Sequence, residues 1–477
     1  MEINSVVIIG MFITFSAMAF AGIYTIRKIK SSEDFTIAGR KSTAVMVAGT
    51  IVGSCVGSGG TIGTAQMAFA RGIVGWWQTL GLSIGVLILG LVLAQAIYKS
   101  RAETVPQLLE KTYGQRIRPI VAVFTSVAIF LSIISQTMGF LPLVTSILPV
   151  TIAIAAVICV VLTLTFVVFG GIFATSIGGL VKITIILGSC ILAGTIAFVA
   201  LGGPVGFVEK FEFDPWRNMF SRGPANDIAI GLGFVLGVLV TQVYVQAILS
   251  AVDAKAARNG AIIAAFMTLP VGLFGVFVGM YMRHFFPDIT ASQALPRFML
   301  EHFPPVISGI FIGGLMLAAL GSNAGLCFGT ATMLSRDVYK KIRAKATDKE
   351  MLVVLRLIIV VLAVLAGIFA VTRAGTMIQQ FVFLSFGLRT TVVLVPMLFA
   401  LYYKGKLTKA AGMAAILAGP ISNIIWNLAI RNNTSELAFM RTLGAWDPIY
   451  VGLAFALLGF LVANAISKED LRNAPAA

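Results

Sequence analysis

Apolar runs of about 20 residues recur along this chain, and each is long enough to cross about 30 Å of hydrocarbon. They fall at 5–26, 43–70, 76–98, 119–148, 150–168, 173–202, 227–250, 260–282, 305–334, 351–372, 376–403, 409–430 and 447–466. Inside a bilayer every backbone polar group needs an internal partner, so runs of this length must be helices. The balance of 58% hydrophobic to 11% charged residues, with a mean hydropathy of +0.98, excludes a soluble enzyme. The chain therefore reads as an all-α integral membrane protein of about thirteen transmembrane helices.

A net charge of +16 would suit nucleic acid, but its distribution argues against that partner. The segments between spans alternate between two sides. Most of the 35 Lys and Arg residues lie on one of them, in stretches such as YKSRAETVPQLLEKTYGQRIR and SRDVYKKIRAKATDKE. The positive-inside rule makes that side cytoplasmic, with the N-terminus outside and the C-terminus inside a plasma (inner) membrane. The first run, Ser5 to Tyr24, has no basic residue before it and no small-residue cleavage site, so it reads as a retained helix. Cys55, Cys159, Cys190 and Cys327 all fall in spans without a CxxC pair and read as small apolar residues.

Three spans are not plain helix. The second carries GTIVGSCVGSGGTIGT, with six glycines. The seventh places Thr241, Gln242 and Gln246 in apolar surroundings, and the ninth carries ALGSNAGLCFGTAT around Ser322 and Asn323. Glycine permits a helix to unwind. Lipid tolerates unwound backbone only where it is buried in protein or lines a wet cavity, and there its carbonyls coordinate cations while its N–H groups receive anions. Close helix packing through Gly49, Gly53 and Gly57 is the simpler alternative. With the first span set aside, the broken spans are numbers one and six of a core, five apart. That is the pattern of two inverted five-helix repeats, 43–202 and 227–403, within a single membrane transport domain. An additional helix at 5–26 precedes them, and two more at 409–466 follow.

Four stretches, SEDFTIAGRK, TVPQLLEKTYG, QVYVQAILSAVDAKAARNGAI and LAALGSNAGLCFGTATMLSRDVYKK, resemble the sodium:solute symporter family in order and spacing. That family includes bacterial proline, pantothenate and sugar symporters. The resemblance implies the inverted-repeat fold of amino-acid, polyamine and organocation carriers. It implies a sodium ion held by the carbonyls of Gly53, Val56 and Ala319 and the side chains of Ser322 and Asn323. It also implies solute contacts from Gly57, Ser58, Gly59, Gly60, Thr61, Thr79 and Gln242. Departures occur where Asn323 replaces the usual serine or threonine, Gly179 a common aspartate and Lys182 a usual glutamine. Several side chains that sugar symporters use are absent, so a sugar is not expected.

No acidic residue lies deep in a span, and His284 and His302 fall in outer loops. Three basic residues do lie within spans. Arg356 is one turn from the cytoplasmic side and is expected to snorkel. Lys182 either snorkels as well, the reading we favour from sequence, or acts as an ion-site substitute whose ammonium replaces the sodium or carries a proton. Arg389, near the middle of core helix ten, either recognises a substrate carboxylate in two-pronged fashion or bonds carbonyls of a broken helix. Trp76 and Trp77 read as interfacial anchors. The expected function is sodium-coupled symport of a small carboxylate-bearing solute, a monocarboxylate or an amino acid. No organic cofactor, enzymatic activity or nucleic-acid partner is expected. The rivals are a sodium-independent carrier of the same fold, working by uniport or through protons at Lys182, and a membrane sensor or channel.

Overall fold

The computed structural model describes the backbone of residues 5–26, 40–431 and 446–467, and their side chains except at 17–26, 166–181 and 429–431. Helix α1 (Ser5–Ile26) is followed by the first broken span, α2 (Ala44–Cys55) and α3 (Thr64–Arg71). Next come α4 (Trp77–Ile88), α5 (Ala94–Ser100), the short α6 (Val105–Tyr113), α7 (Ile117–Thr145), α8 (Ile152–Ala200) and α9 (Gly203–Lys210). A second broken span consists of α10 (Pro224–Val240) and α11 (Gln242–Leu249). The chain continues through α12 (Ala254–Phe285), α13 (Ala294–His302), α14 (Pro305–Met333), α15 (Asp348–Thr372), α16 (Ile378–Tyr402), α17 (Lys409–Ile425) and α18 (Pro448–Ile466). Among the described residues nine helices are long and apolar enough to cross a membrane, or ten if α10 and α11, bent by 43°, form one span.

Polar residues set the helix starts on the basic side. Thr104, Asp253, Thr347 and Thr408 each accept a hydrogen bond from a first-turn N–H of α6, α12, α15 and α17. One expected boundary is not found. The sequence suggests separate spans at 150–168 and 173–202, whereas α8 runs unbroken for 49 residues, about 74 Å. No proline interrupts this stretch. In an apolar medium an unpaired peptide group costs more than glycine's weak helix preference, so its glycines do not end the helix.

The two breaks fall where the glycine-rich and Thr-Gln segments place them. Helix α2 stops at Cys55, Val56 adopts φ −89°, ψ 84°, and helix resumes as a π turn at Gly59. Helix α10 stops at Val240, and Thr241 is extended at φ −76°, ψ 122°. The basic-side ends of the two broken spans are joined. Ser42 N–H donates to Ser250 O at 3.0 Å, and Val252 N–H donates to Ser42 O at 2.9 Å. Helix α7 packs against both α14 and α16, and α8 against α2 and α14, and the residues at both breaks are buried. Helix α1 lies outside this core against α14, with Gly10 and Gly309 in backbone contact. All four cysteines are buried with free thiols.

Candidate functional site

The first break leaves main-chain groups without helical partners, and glutamine side chains satisfy them. Gln136 of α7 accepts from Ser58 N–H at 2.7 Å, and its own carbonyl accepts from Ser58 Oγ at 2.9 Å. With the Gln78 amide, at the start of α4, oriented to satisfy its neighbours, it donates to Gly59 O at 2.9 Å and accepts from Gly60 N–H at 3.1 Å. Local hydroxyls complete the set: Thr61 Oγ1 donates to Gly57 O at 3.0 Å and Thr64 Oγ1 to Gly59 O at 3.3 Å. Thr79 lies beside Gly60. Gly57, Ser58, Gly59, Gly60, Thr61 and Thr79 are thus brought together, and all are buried. Sequence reading expects their polar groups to face an open solute chamber. Instead the amides of Gln78 and Gln136 stand against them. Neither glutamine is singled out by motif, although Gln136 is an amide in the middle of a span, a costly position that signals function.

Gln242 goes elsewhere. It is buried at the head of α11, where its Oε1 accepts from Val105 N–H at 2.8 Å and its Nε2 donates to Glu103 O at 3.4 Å. It ties the second broken span to the loop before α6 rather than joining Ser58 and Thr79.

Arg389 is fully buried on α16. Its Nε donates to Ser385 O at 3.1 Å, Nη1 to Thr241 Oγ1 at 2.8 Å, and Nη2 to Ser132 Oγ at 2.8 Å and Ser385 Oγ at 2.5 Å. The guanidinium stacks over the Phe386 ring, 4.2 Å from its centroid. A guanidinium has five N–H donors, and all of these partners are neutral. One of them, Ser132, lies one turn before Gln136 on the same face of α7. The buried cation and the unwound segment at Ser58 are therefore held about 6 Å apart along one helix.

Lys182 does not snorkel. Its side chain is 1% exposed, and its ammonium donates to Gly53 O, to Ser322 Oγ at 3.2 Å and to Ala318 O at 3.3 Å. Ser322 Oγ itself donates to Gly53 O at 3.1 Å. Two of the five expected sodium ligands, Gly53 and Ser322, thus surround an ammonium. The third acceptor is the carbonyl of Ala318 rather than Ala319. The Val56 carbonyl lies at the break itself, and Val56 N–H closes the last turn of α2 on Val52 O. Asn323 turns away from the cage, its Nδ2 donating to Thr137 Oγ1 and Thr163 Oγ1, each at 3.3 Å. Its position one residue past Ser322 rotates it by about 100° around α14, onto the face towards α7 and α8. Gly179 falls in the stretch whose side chains lie outside the described residues. A second unit charge about 4 Å from the ammonium would be repelled by about 4 kcal/mol at an effective dielectric constant of about 20. The cage therefore fits one cation at a time.

The core is tied at both ends by hydrogen bonds and ion pairs. On the side away from the basic loops, Gln66 accepts from Ile378 N–H at 3.1 Å, and Gln379 donates to Gly75 O at 3.1 Å and Thr64 Oγ1 at 3.3 Å. Trp77 Nε1 donates to Met219 O at 2.7 Å, so its ring is pinned by protein as well as placed near the boundary. On the basic side, Arg118 bridges Glu110 at 2.8 Å and Asp337 at 2.6 Å, Lys341 pairs with Glu110 at 2.9 Å, and Arg336 pairs with Glu103. Arg356 is exposed on α15.

Residues 35–419 match the profile of the sodium:solute symporter family. The osmoregulated proline transporter OpuE of Bacillus subtilis is 23% identical, covering 98% of this chain and 96% of that protein. Sodium/glucose cotransporter 1 of Ovis aries is 27% identical over 69% of this chain and 57% of its own length. Among solved structures, a substrate-bound, outward-open Na+-coupled sialic acid symporter superposes with a TM-score of 0.79 at 15% identity over 98% of each chain. The nucleobase-cation-symport-1 transporter MHP1 gives a TM-score of 0.56 at 13% identity, covering 92% of this chain and 97% of its own. Both likenesses show the fold, an all-helical five-plus-five inverted repeat with interrupted first and sixth core helices.

Proposed function

Since the chain belongs to the sodium:solute symporter family, a family of transporters and not of enzymes, we propose that it carries a small carboxylate-bearing solute with sodium across the plasma membrane, its basic face cytoplasmic. One observation supports the carboxylate: Arg389 is a wholly buried cation bonded only to hydroxyls and a carbonyl, at the break between α10 and α11. A monocarboxylate or an amino acid offers the planar, two-oxygen partner that a guanidinium favours. On arrival it exchanges with the hydroxyls of Ser132 and Thr241.

The rest of the solute meets Ser58, Gly59 and Gly60, where it takes over hydrogen bonds now made by Gln78 and Gln136. Outward opening parts the Gln66–Ile378 and Gln379–Gly75 ties, and inward opening parts the Arg118 cluster. Solute and sodium favour the same arrangement, so each raises the other's affinity by the same factor.

Uptake into proteoliposomes tests this. Small acids and amino acids are supplied under an imposed sodium gradient, with potassium as control, and each acid is paired with its neutral amide. Faster uptake of the acid in sodium, with its amide excluded, is expected. Equal uptake in both salts removes the sodium claim, and equal uptake of the amide removes the carboxylate.

A further inference from the structure

We infer that Lys182 is a tethered cation that fills the cage between α2 and α14 and closes it to sodium. This goes beyond the symport reading and does not depend on it, because it concerns which cation holds these particular oxygens.

The ammonium's three N–H donors meet three acceptors, the carbonyls of Gly53 and Ala318 and the hydroxyl of Ser322. Nothing in the cage remains to be satisfied. The lysine stem passes alongside Gly321, where a methyl group would stand in ordinary van der Waals contact, 3.6 Å from both Cδ and Nζ of Lys182. The other side chain expected to ligate an ion, Asn323, is held away from the cage by the bonds that its Nδ2 donates to Thr137 and Thr163. Sodium therefore finds the oxygens of this cage pointed at a positive charge and one expected ligand withdrawn.

The tether has an energetic consequence. A free ion loses translational freedom on binding, whereas an ammonium on α8 is present at a high effective concentration at all times. The contact between α2 and α14 that a bath ion would control is thus maintained at any sodium concentration. Coupling sodium, in this protein, uses oxygens outside this cage.

The test is ion-specific stabilisation of the purified full chain, with no solute present. Melting temperatures are measured in sodium and in choline at equal ionic strength, for the unaltered protein, Ser322→Ala, Lys182→Ala and Lys182→Ala/Ser322→Ala. Ser322→Ala alone is expected to leave the sodium-minus-choline difference unchanged. Lys182→Ala is expected to gain a sodium-specific rise of roughly 2–4 °C at sodium about tenfold above its Kd, and the double variant to lose that gain. Two results overturn the inference: a sodium response abolished by Ser322→Ala while Lys182 is present, or a folded Lys182→Ala that gains no response. If Lys182→Ala is recovered only in sodium, that rescue supports the inference. If it is not recovered at all, the Ser322→Ala comparison decides alone. Because the readout needs no solute, failure here is distinct from failure of the carboxylate proposal.

Discussion

Arg389 Nη1 and Thr241 Oγ1 are 2.8 Å apart, and Thr241 is the one extended residue between α10 and α11. Among the described residues Arg389 is the one span-buried arginine, and it is thereby fastened to the point where the second broken helix bends by 43°. Whatever engages the guanidinium also acts on the bend. Thr241 Oγ1 donates in turn to Gly237 O at 2.6 Å, closing the last turn before the break. A ligand that draws the guanidinium away frees that hydroxyl from one of its two bonds.

Replacing Arg389 tests the reading of its charge. Arg389→Lys keeps the charge but loses the fork, and Arg389→Ala loses both. A hydrogen bond to a charged group contributes about 1.5–3 kcal/mol, so the KM for a carboxylate solute is expected to rise about 10- to 150-fold in either variant. Initial rates of uptake in proteoliposomes measure this. Unchanged KM in both variants would assign Arg389 a purely structural role.

Two glycine-to-alanine changes should behave oppositely. A Cβ at Gly57 would overlap the Gln136 amide and lie 2.7 Å from Ser322 Oγ, between the solute region and the cage. Gly57→Ala is expected to cost about 1–3 kcal/mol and to stop transport. Gly188 has nothing within 4 Å of such a methyl group. Gly188→Ala is expected to stabilise by roughly 0.5–1 kcal/mol with normal uptake. Thermal unfolding and uptake, measured side by side, check both.

Asn323 is placed as a structural amide linking α14 to α7 and α8. Asn323→Ala should lower stability by about 1–3 kcal/mol, because it removes two buried hydrogen bonds, those to Thr137 Oγ1 and Thr163 Oγ1. Its sodium response should match that of the unaltered protein. A selective loss of sodium sensitivity, at unchanged melting temperature, would restore Asn323 to the ion site.

The basic-side latch should weaken in acid. Burial pushes the Glu110 carboxyl up, but the hydrogen bond from Lys341 and the charge and hydrogen bond of Arg118 outweigh it, holding the group below its ordinary 4.5. A carboxylate lowered in this way stabilises the closed latch above its ordinary pKa. That stabilisation is lost as pH falls through the lower value in the folded protein. The distance between spin labels placed on either side of the latch should therefore lengthen below about pH 4.5, and Glu110→Gln should show the longer distance already at neutral pH. A distance in Glu110→Gln equal to that of the protein with Glu110 would remove Glu110 from the latch.

Hydropathy and punctuation carried most of the architecture. The spans, the glycine-rich break at 56–58 and the Thr-Gln break at 241 all follow from rules about what lipid tolerates, so they are legible one residue at a time. The α8 boundary was not, because glycines that loosen a helix in water do not end one in hydrocarbon. Side-chain direction was the larger gap. Asn323 and Gln242 are polar residues in the expected segments, yet one points to α7 and α8 and the other to the loop before α6. Rotation about a helix axis depends on packing partners far away in the chain. Lys182 illustrates the same limit. Its depth in the span allowed a path to water, and only the convergence of Gly53, Ala318 and Ser322 shows where it goes.

The glutamines at the first break bear on how an unloaded carrier turns around. Because Gln78 and Gln136 keep the peptide groups of Ser58, Gly59 and Gly60 engaged, the return journey exposes no thirsty backbone to lipid. The same two amides set an entry threshold. A visitor must outbid them with donors and acceptors of its own, so greasy molecules of the right size gain nothing by entering.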